Sequence, residues 1–83
     1  MKKYLKINNS LILREEDSML FSAKNMQIYK FNDKGFDVVK TIIDNKELTK
    51  DDLYAKLKDN YTEEELNNLL DKMINTNIVE YYE

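Results

Sequence analysis

The sequence predicts an α+β domain in which a three-stranded antiparallel sheet is followed by a three-helix, winged-helix-like bundle. Three short apolar runs, at 11–13, 19–23 and 27–31, are separated by polar turns. Strands this close together pair as an antiparallel meander. The remainder places apolar residues at helical spacing behind side chains that cap helices. At 83 residues, the chain is expected to form one domain, 1–83.

The third apolar run, Gln27–Phe31, is rich in aromatic and β-branched residues, which favour a strand. Alternation along a strand puts Tyr29 and Phe31 on one face, which we assign to the helices. Ile28 then lies on the opposite, partly exposed face. In the turn before this strand, Asn25 can adopt a positive φ at lower cost than most residues.

The first predicted helix begins after Asn32, a good N-cap, and runs to about Asp44. Its buried stripe is predicted at helical spacing, at Phe36, Val39, Ile42 and Ile43. The helix contains Gly35, the only glycine of the chain. A glycine inside a helix costs about 1 kcal/mol relative to alanine, so we attribute it to close packing against a neighbour.

Two further helices follow threonine N-caps. Thr49 precedes Asp52 by three residues, a near capping box, and Thr62 precedes Glu65 in the same way, a full one. The second helix turns Leu53, Tyr54 and Leu57 inward, and the third, to about Asn75, turns Leu66, Leu69, Leu70, Met73 and Ile74 inward. The segments 4–7 and 78–82 are each interpreted either as a short strand or as a tail.

Composition removes several classes of chemistry. The chain has no Cys and no His, so it lacks thiol nucleophiles, disulfides, the usual zinc ligands and the usual base near neutral pH. We expect no enzyme activity, no cofactor and no metal. No apolar stretch approaches the roughly 20 residues of a membrane helix, and the basic start lacks an apolar signal segment, so a cytoplasmic location is expected.

Charge is unevenly distributed. Residues 1–40 carry a net charge of +3, whereas residues 41–83 carry −6. Nucleic-acid binding depends on basic clusters facing phosphates. The predicted third helix, where a recognition helix would lie, is acidic, so a winged-helix DNA-binding regulator is the alternative function and not the favoured one.

Residues from about Leu11 to Val79, most of the chain, resemble a known family. The residues that carry the resemblance are the run 11–17, Leu20-Phe21, the segment 28–35 with its Tyr-x-Phe-Asn-x-x-Gly pattern, Leu48-Thr49 with Leu53, and 66–73 with Ile78-Val79. Together they are similar to the PqqD-like family, the RiPP recognition elements. The family often has glycines where this chain has Asn45 and Asn77, and Asn is the best substitute for Gly at a positive φ.

The resemblance implies a peptide-binding module without chemistry of its own. Such domains capture the leader of a ribosomally synthesised precursor as an extra antiparallel strand, between the third strand and the third helix. Carried over by position, the peptide-binding residues are Gln27, Ile28, Tyr29, Lys30 and Phe31 on the strand, and Leu66, Asn67, Leu70, Asp71 and Ile74 on the helix. Lys30 and Lys72 are candidate charge contacts.

The resemblance also implies the partners. The module would deliver the leader to a peptide-modifying enzyme, which in this family is a radical SAM enzyme, a cyclodehydratase, a dehydratase or a leader protease. Neither nucleic acid nor membrane is an expected partner. Which helix residues face the groove is left open, and the leucines are assigned to the core in preference. A homodimer is also left open, since an unpaired sheet edge can pair with itself.

Overall fold

A computed structural model describes residues 3–83, so the first two residues of the basic start lie outside that range. The strands and helices are β1 (Tyr4–Ile7), β2 (Leu11–Arg14), β3 (Met19–Ser22), β4 (Gln27–Lys30), α1 (Asp33–Asp44), α2 (Lys50–Leu57), α3 (Glu63–Asn75) and β5 (Val79–Tyr82), with a single 3-10 turn at Glu15–Asp17. The predicted α+β class and the three-stranded antiparallel sheet before three helices are confirmed.

The larger sheet has the strand order β2-β3-β4, and both strand pairs are antiparallel. Leu20 is fully buried and stands opposite Tyr29, which packs against the core together with Phe31. Ile28 is 54% exposed on the other face. The predicted orientation of this strand, which is β4 in the structure, is therefore confirmed. Side chains alternate between the two faces of a strand, and this alternation determines which of them share a face.

The β3–β4 turn differs from the prediction. Met26, and not Asn25, has the positive φ, at 57°. The Asn25 side chain instead accepts a hydrogen bond from the Gln27 N–H at 3.2 Å. The asparagine thus closes the turn with its side chain, and the left-handed position falls on the residue after it. In the other two turns, Asn77 does have a positive φ of 64°, whereas Asn45 is extended.

The predicted helix caps are confirmed. The Asn32 Oδ1 accepts a hydrogen bond from the Gly35 N–H at 2.7 Å, and both threonine capping boxes are complete. A Cβ added to Gly35 would lie 3.1 Å from that same Oδ1 and 3.6 Å from the Phe31 ring. The neighbour that Gly35 approaches is therefore the N-cap and the end of β4, not another helix.

The buried stripe of α1 is rotated relative to the prediction. Phe36, Val39 and Ile42 are buried as expected, but Ile43 is 41% exposed. Val38, which the prediction left out, is completely buried. The buried arc is wider than a single stripe because α1 contacts both β1 and α2.

The two chain ends form a second sheet that the sequence left undecided. β1 pairs antiparallel with β5, and the Leu5 N–H donates to the Leu48 carbonyl at 2.7 Å between α1 and α2. One continuous core results, formed by Leu5, Leu20, Phe36, Val38, Val39, Ile42, Leu48, Leu53, Leu57, Tyr61, Leu66, Leu70, Met73, Ile78 and Val79. The 3-10 turn after β2 is also joined to α1 by an ion pair between Glu15 and Lys40.

Candidate functional site

β4 leaves one side of its backbone unpaired. It is hydrogen-bonded to β3 alone, and the Phe31 N–H donates to the Ser18 carbonyl at 3.0 Å just beyond the strand. Hydrogen-bonded pairs alternate along an antiparallel ladder, so Tyr29 also faces β3 with its backbone. Ile28 and Lys30 therefore direct their N–H and C=O groups away from the sheet. This open edge offers two donors and two acceptors to an incoming strand.

A cleft of about 400 Å³ lies beside the end of this edge. Asn32 and Gly35, at the start of α1, form one wall. Tyr61 and α3 form the other wall, and the α3 residues are Glu65, Asn68, Leu69 and Lys72. Leu69 is half-buried against the core and supplies an apolar surface. The cleft thus combines an apolar side with polar and basic groups.

One flank of α3 faces the larger sheet. Thr76, just past the end of α3, lines a second depression together with Tyr29 of β4. Glu65, Leu69, Lys72 and Thr76 are spaced by four, three and four residues, so they lie on the same side of the helix. This set, named the α3 flank below, is the part of α3 nearest to β4.

The helix residues that the resemblance implied lie elsewhere. Leu66 and Leu70 are each only 1% exposed and belong to the core, as the preference for core leucines anticipated. Asn67 lines a depression with Tyr54 of α2, on the side of α3 away from β4. The cleft beside the open edge is therefore lined by other residues of α3, and Leu66, Asn67 and Leu70 are not among them.

The remaining two helix residues also lie outside the α3 flank. Ile74 is half-buried against the core, two helical turns after Asn67. Asp71 is exposed to solvent. On the strand side, Gln27, Ile28, Tyr29, Lys30 and Phe31 do lie together on β4 and at its end. Lys72 lines the cleft, whereas Lys30 is an exposed residue of the sheet.

Three neighbouring side chains of the cleft, Lys34, Tyr61 and Glu65, influence one another electrostatically. The Lys34 Nζ lies 4.7 Å from the centre of the Tyr61 ring, and the Tyr61 hydroxyl donates to the Lys34 carbonyl at 2.7 Å. Burial raises the pKa of the Tyr61 hydroxyl, and the Asp37 and Glu65 carboxylates add to this. Hydrogen bonds from Thr62 lower the pKa of Glu65, helped by the charge of Lys34. Tyr61 therefore stays neutral and fixes the start of α1 against α3.

The opposite edge of the sheet, on β2, is also unpaired in part. The same alternation directs the N–H and C=O of Leu13 away from β3. The Leu11 N–H is already used, since it donates to the Asn8 carbonyl at 3.0 Å. The depression beside Leu13 is lined by Arg14 and the three acids of the turn at 15–17. The β2 edge is thus shorter and borders acidic side chains.

Sequence reasoning missed the α3 flank for a definite reason. The apolar stripe of α3 shows which side faces the core, but not which of its two borders lies next to the sheet. The sequence shows that Leu69 and Lys72 share one border of the apolar stripe. Only the packing of α3 against α2 determines that Asn67 lies on the opposite border, away from the cleft. That decision depends on helix packing, which leaves no local signal.

Comparisons of the chain with protein-family models, curated proteins and solved structures found no match. The PqqD-like resemblance therefore stays a prediction. Within residues 3–83, no helix is long and apolar enough to cross a membrane. Across the same residues, no three Asp or Glu side chains are grouped so that they would hold a metal ion.

Proposed function

We propose that this protein is a stand-alone peptide-binding module that takes up an extended peptide along the open edge of β4. The peptide would be the leader of a ribosomally synthesised precursor, and the module would deliver it in the cytoplasm to a modifying enzyme. The observation that carries the proposal is the unpaired edge of β4, with Ile28 and Lys30 directing their backbone groups outward beside the α3 flank.

Strand addition suits this edge on physical grounds. Backbone hydrogen bonds give affinity that does not depend on the peptide sequence, and neighbouring pockets for alternate side chains give specificity. The inward face of an added strand would continue the face of Tyr29 and Phe31, towards the α3 flank. The cleft there offers Leu69 to an apolar side chain and the exposed amines of Lys34 and Lys72 to a carboxylate.

The test is a binding measurement with matched variants. Fluorescent peptides encoded by short reading frames next to this gene are titrated with the protein, and anisotropy is followed. Ile28→Pro removes an outward donor without removing a bond to β3, so we expect affinity to fall about tenfold or more, because a peptide carbonyl loses its partner. Ile28→Ala shortens the side chain but keeps the N–H, so its affinity should stay within a few-fold of wild type.

Two results would contradict strand addition at β4. One is undiminished binding by an Ile28→Pro protein whose circular dichroism shows it folded. The other comes from amide hydrogen exchange: bound peptide should protect the Ile28 and Lys30 amides, whereas protection of the Leu13 amide would move the site to β2. Concentration-dependent protection of Ile28 without peptide would reveal a homodimer through the same edge.

Winged-helix DNA binding gains no support from the structure. The exposed residues of α3 include Glu63, Glu64, Glu65 and Asp71, with Lys72 as the one basic residue of that helix. Such a surface repels phosphate. Salt-dependent binding of duplex DNA in a gel shift would reverse this conclusion.

A further inference from the structure

The outer face of the larger sheet, which points away from the core, is unusually apolar for an exposed surface. Ile12, Phe21 and Ile28 stand side by side in register across β2, β3 and β4. Ile12 is 52% exposed and Ile28 is 54% exposed. The next row across the sheet is Arg14, Met19 and Lys30. Four of the six side chains on this outer face are therefore apolar, two are basic, and none is acidic.

Met26 extends the outer face at the tip of the β3–β4 turn. Its side chain is 73% exposed, and its backbone has a positive φ of 57°. A positive φ is costly for a side chain of this kind, and Gly or Asn would fit the position better. Neither the core nor the turn requires a methionine there. An exposed apolar residue at a strained position indicates a surface kept for a contact outside the chain.

The hairpin also differs in charge from the rest of the protein. Residues 18–32 contain Lys24 and Lys30 and no acid, although the whole chain carries 16 Asp and Glu residues and a net charge of −3. Neither lysine belongs to an ion pair within the described part of the chain, where the pairs are Lys6–Glu80 and Lys40–Glu15. The three acids at 15–17 follow Arg14, the last residue of β2. Basic charge therefore borders the β4 side.

We infer that the outer face is a docking surface for a second protein, one that presents an apolar patch bordered by carboxylates, and that a captured peptide completes this surface. The inference rests on the proposed function. Every second side chain of a strand added to β4 would lie on the same face as Ile28. A partner seated on Ile12, Phe21 and Ile28 would therefore also touch the peptide. Such a partner is the enzyme that acts on that peptide.

The size of the outer face argues for a transient partner and against a second copy of this chain. Three strands of four residues span about 200 Å². A stable interface needs about 800 Å² on each partner. Two copies would also bring Lys24 and Lys30 near their own equivalents without any carboxylate on the outer face to offset them. A partner with carboxylates meets no such repulsion, and its attraction to the lysines would accelerate association at low salt.

The experiment uses two substitutions outside β4. Ile12→Thr lies on β2, and Met26→Asn suits a positive φ, so the double variant keeps β4 unchanged. The matched control is Ile43→Thr, which removes an apolar side chain that is 41% exposed elsewhere, on α1. The probes are the peptide that binds wild type and the purified enzymes encoded by the neighbouring genes, with binding followed by biolayer interferometry.

The peptide-loaded double variant is expected to bind the enzyme about tenfold more weakly than wild type, with peptide affinity unchanged within threefold. Ile43→Thr should match wild type for both ligands. Peptide should also tighten enzyme binding to wild type, because the enzyme would contact the bound peptide as well, and the enzyme should tighten peptide binding by the same factor.

Equal enzyme binding by wild type and the double variant would overturn the docking surface while leaving peptide capture intact. Binding of none of these enzymes to peptide-loaded wild type would overturn it as well. The failure of wild type to bind any peptide would instead overturn the proposed function, and this result appears in the first titration.

Discussion

The helical half and the β3–β4 hairpin of this protein handle apolar and charged residues in opposite ways. In α1 to α3, most apolar side chains are buried in the core, with Ile43 as an exposed exception, and the acids of the first turns lie at helix N-termini. In the hairpin, Met26 and Ile28 are exposed and no acid is present. The difference indicates that stability is built mainly in the helical half, whereas the hairpin carries the surfaces that we propose for binding.

The test with the largest expected effect truncates one apolar side chain in the helical half and one on the outer face of the sheet. Leu66→Ala removes a side chain that is 1% exposed, so we expect the free energy of unfolding to fall by about 2–5 kcal/mol. Ile12→Ala, at 52% exposed, should change it by no more than about 0.5 kcal/mol. Urea denaturation followed by circular dichroism measures both. A large loss for Ile12→Ala would mean that the outer face belongs to the fold.

A second test concerns the cap of α3. The Thr62 Oγ1 accepts a hydrogen bond from the Glu65 N–H at 3.1 Å. Thr62→Ala should lower stability by about 1 kcal/mol, because the donor loses its partner at the helix end. Thr41→Ala is the matched control, since the Thr41 hydroxyl donates to the Asp37 carbonyl within α1 and caps no helix N-terminus. Equal effects of the two substitutions in urea denaturation would show that the cap is unimportant.

Local signals in the sequence predicted most of the fold, and non-local packing explains the remainder. The alternation of side chains along a strand predicted the faces of Ile28 and Tyr29, and the capping side chains of Asn32 and Thr62 predicted where helices begin. Both signals depend on residues only a few positions apart. The pairing of β1 with β5 joins residues more than 70 positions apart. Asn67 was assigned to the groove because the sequence does not show which border of α3 meets the sheet.

The third test removes strain from the hairpin. Met26→Gly should raise the free energy of unfolding by up to about 1 kcal/mol, because glycine adopts the positive φ of 57° without a Cβ clash. Greater freedom of the unfolded chain offsets part of this gain. Asn25→Gly is the control, since Asn25 has no positive φ, and it should not stabilise. A destabilised Met26→Gly protein would show that this side chain supports the fold.

The smallest expected effect concerns the acids of the helical half. The folded-state pKa of Glu65 lies below its ordinary value of 4.5, because Thr62 donates hydrogen bonds to the carboxylate. The unfolded chain therefore binds the proton more readily, so stability rises with pH across this interval. The contribution is complete above pH 4.5 and disappears as the pH falls through the lower, folded value.

Glu65→Gln should therefore be less stable than wild type at pH 7 and should approach it near pH 3, as measured by urea denaturation at each pH. Glutamine keeps an acceptor for the Thr62 N–H, so the variant isolates the charge. Glu64→Gln removes the same charge from the same turn without that bond, and it should show a smaller pH-dependent difference. If the two variants behaved alike, the acids would act only through their charge at the helix start, and the hydrogen bond from the Thr62 N–H to Glu65 would add nothing to it.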